Sequence, residues 1–123
     1  MMPWRVICLC AQWCGVCREY RVTFDGVAAA HPGISFDWVD VEDEANAMGD
    51  VDIETFPTLM LAFAGEVRFF GPVPPGEGQL ERLVTSQLNE PASTGVQPVE
   101  ATALLRRLLA TVLTYHSPDS RTR

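Results

Sequence analysis

Two cysteines set two residues apart, in Trp13-Cys14-Gly15-Val16-Cys17, constrain this chain more than any other feature. They follow an apolar run, Val6-Ile7-Cys8-Leu9-Cys10, and precede a segment with helical periodicity. Thiols at that spacing can close a small disulfide ring, and a helix start beside the first sulfur favours its thiolate. Zinc sites share the spacing, so the motif alone leaves redox chemistry and metal binding open. A second signal lies further along. Pro57, in Phe56-Pro57-Thr58, opens another apolar run, Leu59-Met60-Leu61-Ala62-Phe63.

Length and composition narrow the setting. At 123 residues, with 47% hydrophobic and 20% charged side chains, the chain suits one globular domain with a single core. A net charge of −7 argues against a nucleic-acid surface. All nine basic residues are arginine, which excludes a Schiff-base or P-loop lysine. No apolar stretch approaches a membrane span, and Met1-Met2-Pro3-Trp4-Arg5 has neither the basic leader nor the apolar segment of a secretory signal. All four cysteines fall between Cys8 and Cys17. A secreted disulfide framework would scatter them; clustering favours redox chemistry or metal binding in a reducing compartment, so a cytoplasmic location is expected. Eight of the sixteen acids lie between Asp37 and Glu54 with no arginine among them. That run reads as a solvated face, the alternative being a docking surface for a basic partner.

The expected elements follow from periodicity and breakers. Trp4 to Cys10 reads as a strand buried on both faces. From Cys14 to about Ala30 the helical stripe is Val16, Tyr20, Phe24, Val27 and Ala28, stopped by His31-Pro32-Gly33. Ile34 to Val41 reads as a second strand and Glu42 to Gly49 as a short acidic helix or turn. Thr58–Phe63 and Val67–Phe70 form an antiparallel hairpin through Ala64-Gly65-Glu66. Gln79 to Leu88 is a helix with Leu80, Leu83, Val84 and Leu88 on one face. These compose a domain over 1–89, followed by a linker over 90–98, an amphipathic helix over 99–115 and a polar tail over 116–123. The last helix carries Ala101, Leu104, Leu105, Leu108, Leu109, Val112 and Leu113 on one stripe, expected to dock on this chain's own sheet rather than on a second copy.

W-C-G-x-C after a buried strand, with F-P-T opening another, resembles the thioredoxin family over roughly residues 4 to 88. The resemblance implies an α/β thioredoxin-like three-layer fold. Its four-stranded mixed sheet would have the order 2-1-3-4 with strand 4 antiparallel, and the C-terminal helix would be an addition. Such proteins carry a further strand and helix before this point, so strand 34–41 becomes an edge.

The resemblance also implies dithiol-disulfide exchange with protein disulfides, without cofactor or metal and with a reductase as electron donor. Cys14 would be the nucleophile and Cys17 the resolving thiol. Trp13 would shape the surface beside the sulfur. Pro57 matches the family's cis-proline, and Phe56 before it would offer backbone groups to a bound peptide. The chain departs from the family in strand one. Cys8 stands where the family has a buried aspartate that assists proton transfer, and Cys10 where it has a tryptophan. No lysine pairs with the aspartate position; Trp38 falls nearby. Val16 replaces the usual proline between the cysteines. Cys8 and Cys10 are expected as small buried hydrophobes, and His31 and His116 as surface residues. Two other readings stand beside exchange: a metal module on Cys10, Cys14 and Cys17, and an interaction module with incidental redox activity. No nucleic-acid or membrane partner is expected, and a monomer is favoured over a homodimer.

Overall fold

A computed structural model describes residues 4–11, 13–49, 51, 53, 55–89, 99–111 and 113. The elements are β1 (Trp4–Cys10), α1 (Gly15–Ala30), β2 (Ser35–Asp40), α2 (Ala45–Met48), β3 (Thr58–Phe63), β4 (Glu66–Pro72), α3 (Glu77–Asn89) and α4 (Val99–Thr111). The expected linker and tail, with Val112, lie outside the described residues. The sheet order is β2-β1-β3-β4. β1 and β2 are parallel, joined by the α1 crossover, and β4 pairs antiparallel with β3 as expected. β3 also runs antiparallel to β1. The hairpin turns on Ala64 and Gly65, with φ of 52° and 85°. Positive φ at both central residues matches the right-handed twist of the strands.

Strand pleating divides the core in two. Trp4, Val6, Cys8 and Cys10 of β1, with Leu59 and Leu61 of β3, face α1 and α3. Ile7, Leu9, Met60 and Ala62 face the other way, under α2 and α4. α1 presents Cys17, Tyr20, Phe24 and Val27 to the sheet. Val16, expected on that stripe, is 43% exposed: it lies in the first turn of α1, at the edge of the buried face rather than at its centre. α4 buries Ala101, Leu104, Leu105 and Leu108 against the second face, so the leucine stripe is satisfied within the chain. Arg107 fastens it, its Nε and Nη2 donating to the carbonyls of Ala47 and Met48 at 2.6 and 2.9 Å. Those are among the open carbonyls at the end of α2, which is a single turn.

Two polar groups depart from expectation. Asp37 is no part of a solvated face: it is 3% exposed and accepts a hydrogen bond from Arg5 Nη1 at 2.8 Å. It alternates with Phe36 and Trp38 and therefore points to the opposite face, where Arg5 also lies. His31 is half-buried, its Nε2 2.9 Å from Glu81 Oε2, which ties the end of α1 to α3.

Candidate functional site

The site is built where β1 ends and α1 begins. The connection is tight: Cys14 N–H donates to Ala11 O at 3.0 Å, and Arg18 N–H donates to Cys14 O at 3.1 Å. Cys14 is the N-cap of α1, in extended conformation (φ −83°, ψ 123°), with a partly exposed free thiol. Cys17 lies in the first turn below it and is 1% exposed. The Ala11 N–H donates to Cys17 Sγ at 3.4 Å.

Cys17 is bonded to Cys10, not to Cys14. The Cys10–Cys17 disulfide spans a Cα–Cα distance of 5.8 Å and leaves Cys8 and Cys14 as free cysteines. This corrects the expectation that Cys10 is merely a small buried hydrophobe. It also replaces the Cys14–Cys17 ring in the oxidised state seen here. The cause is the pleat. Cys10 points to the face that α1 covers, and the short connection sets the first turn of α1 over the end of β1. The clue in the sequence was the even spacing of Val6, Cys8 and Cys10. Which face that phase selects is not written in the spacing.

Cys8 is fully buried, and burial pushes its thiol far above the ordinary range, with the Arg21 guanidinium opposing in smaller part. The buried Tyr20 hydroxyl has no hydrogen-bond partner among the described residues. Burial raises it strongly as well, and Cys8 adds to the effect. Both groups therefore stay protonated near neutrality and neither replaces the aspartate as a base. Beside the buried disulfide lies a cleft of about 420 Å³ lined by Ala11, Cys17, Arg18, Arg21, Trp38, Asp40 and Asp43. Arg21 lies over the Trp38 ring at 4.8 Å.

The two sequence motifs meet. Trp13, 61% exposed, stands edge-on to Phe56 with ring centroids 5.7 Å apart, and its Nε1 donates to Glu42 Oε2 at 2.7 Å. The Phe56–Pro57 peptide bond is cis, and Pro57 is buried. A groove of about 390 Å³ runs beside this pair, lined by Trp13, Val41, Glu42, Met48, Val51, Ile53 and Phe56 among others. Among the described residues no group of three or more His, Cys, Asp or Glu side chains forms a metal site. The Cys10–Cys17 bond also occupies two of the three thiols a zinc reading requires. No helix among the described residues is long and apolar enough to cross a membrane.

A mixed sheet of order 2-1-3-4, with cysteines at a strand-to-helix junction and an aromatic contact to an X-cis-Pro segment, defines a thioredoxin-like protein. The Thioredoxin family model matches residues 4–80, and the chain belongs to that family. Among curated relatives, "Putative thioredoxin 2" of Streptomyces coelicolor is 33% identical over 51 residues, 42% of this chain and 38% of that protein. "Thioredoxin-1" of Caenorhabditis elegans is 30% identical over 56 residues, 46% of this chain and 49% of that protein. The matched segment thus spans less than half of either relative's length. Among solved structures, Fasciola hepatica thioredoxin superposes with a TM-score of 0.61 at 25% identity, covering 68% of this chain and 79% of that one. Oxidised mitochondrial thioredoxin 3 of Saccharomyces cerevisiae gives a TM-score of 0.61 at 21% identity over 70% and 80% of the two chains, a likeness of fold.

Proposed function

We propose that this protein is a thiol-disulfide oxidoreductase that exchanges with protein disulfides. Cys14 is the nucleophile, Cys17 the resolving thiol, and the Trp13, Phe56 and Pro57 surface the peptide-binding edge. One observation carries the reading. Cys14, with a partly exposed free thiol, is the N-cap residue of a helix whose first turn holds a second, buried cysteine already engaged in a disulfide. Cys14 attacks a target disulfide, forming a Cys14–target mixed disulfide and releasing one target thiolate. Cys17 then attacks Cys14 Sγ, and the second target thiolate leaves with the electron pair. The target gains two electrons and the protein loses them; a reductase restores the dithiol. The cysteine clustering supports a reducing compartment such as the cytoplasm, and the burial of the α4 stripe within the chain supports a monomer.

Insulin-disulfide reduction with dithiothreitol as donor tests the proposal. Cys14→Ser abolishes activity, whereas Cys17→Ser accumulates mixed disulfides with the substrate, visible as adducts by mass spectrometry. Equal, partial activity in the two variants refutes the assignment of roles.

A further inference from the structure

Cys17 has two partners within reach and can bond only one of them. Cys10 is joined to it in this structure. Cys14 lies three residues away along the start of α1, where side chains at that spacing share a face. Cys10 is 0% exposed and Cys17 1%, whereas the Cys14 thiol is partly open to solvent. No outside disulfide can touch Cys10 in this fold, so any exchange at Cys10 passes through Cys17.

We propose that Cys10 is a second, internal resolving thiol, and that the three cysteines form a relay which moves the disulfide inward and frees the nucleophile. The proposal rests on the exchange chemistry assigned above. After turnover the protein holds a Cys14–Cys17 bond. Cys10 Sγ attacks Cys17 Sγ as its proton is lost. The Cys10–Cys17 bond forms, the Cys14–Cys17 bond breaks, and Cys14 departs with the electron pair and takes up a proton. The step is an isomerisation, one thiol and one disulfide on each side, and it needs no outside oxidant or reductant. The departing sulfur of Cys14 is solvated, while the new bond is sealed between β1 and α1. An ordinary two-cysteine site has no reactive thiol once oxidised. Here the oxidised protein keeps its nucleophile and stores the disulfide out of contact with other proteins. The oxidised form can therefore still capture a disulfide target through Cys14. It cannot release that target by the Cys17 route until Cys10–Cys17 is undone.

The full chain, oxidised by diamide, is treated with iodoacetamide in the folded state. It is then unfolded at acid pH with N-ethylmaleimide to block buried thiols. Chymotryptic cleavage after Leu9 and Trp13 separates Cys10 from the Cys14–Cys17 fragment, and the unreduced digest is read by mass spectrometry. The relay predicts that most chains carry carbamidomethyl on Cys14, with the Cys10–Trp13 peptide disulfide-linked to Cys14–Tyr20. Cys10→Ser, with Cys10→Ala as a second variant should the first fold poorly, loses that label and closes the Cys14–Cys17 ring. Wild-type chains with Cys14 mostly unlabelled and a Cys14–Cys17 ring overturn the relay. Insulin reduction separates the two ideas: retained activity of wild type with no label on Cys14 removes the relay alone. Inactivity of both the wild type and Cys10→Ser, which cannot form the sealed bond, removes the exchange reading itself.

Discussion

Replacing Leu104 by alanine tests how far α4 belongs to the core. Leu104 is 0% exposed and sits in the cluster of Ile7, Leu9, Met60 and the α2 side chains Ala47 and Met48. Truncation removes three carbons, about 2.4 kcal/mol of transfer free energy at roughly 0.8 kcal/mol each. The cavity left between helix and sheet adds to this, bringing the expected loss to about 3–4 kcal/mol. Domains of this kind have about 5–15 kcal/mol in total, so the loss is a large fraction of it. With a urea slope of roughly 1.5–2 kcal/mol per molar, the unfolding midpoint falls by about 2 M. The assay is urea unfolding followed by far-UV circular dichroism at two protein concentrations. Val99→Ala serves as the control: Val99 is on the same helix but 81% exposed, and its replacement stays within about 0.5 kcal/mol. A Leu104→Ala midpoint within about 0.3 M of wild type, at unchanged slope, refutes the packing argument. A midpoint that rises with protein concentration places the helix between two copies instead of within one.

Other outcomes follow from the buried groups. Cys8 has a folded-state value raised above the ordinary 9.0. Its contribution to stability is therefore complete below that pH and is lost as pH rises through and beyond it. The slope is up to about 1.4 kcal/mol per pH unit for one such group. Urea midpoints from pH 7 to 11 reveal the fall, and Cys8→Ala removes its onset near 9.0. Tyr20 is raised from 10.0 in the same sense, so Tyr20→Phe removes the later part of the fall. Because the Tyr20 hydroxyl is buried without a hydrogen-bond partner among the described residues, Tyr20→Phe at pH 7 is neutral or stabilising by about 1 kcal/mol. Arg107→Met leaves the Ala47 and Met48 carbonyls without their donor and lowers stability by about 1.5–3 kcal/mol. Hydrogen exchange is expected to speed up most at Ala45–Gly49.

The order of elements was readable from residues alone. Apolar runs bounded by breakers mark β1 and β3, Ala64-Gly65 marks a hairpin turn, and spacings of three and four mark α1, α3 and α4. The same local signals drew the Cys14–Cys17 and Phe56–Pro57 motifs, because each lies within one short segment. What stayed hidden depends on parts far apart in the chain. Asp37 looked like one acid in a solvated run until β1 brought Arg5 beside β2, thirty-two residues away in sequence. His31 looked like a surface residue until α3 delivered Glu81. Cys10 is the sharpest case. Alternation along β1 puts Cys8 and Cys10 on a common face, but a period of two has two equivalent phases. The sequence determined that four thiols crowd the junction of a strand and a helix. Only packing decided that Cys10 lies under Cys17, because the choice of phase is made by which face of the sheet α1 covers when the core closes.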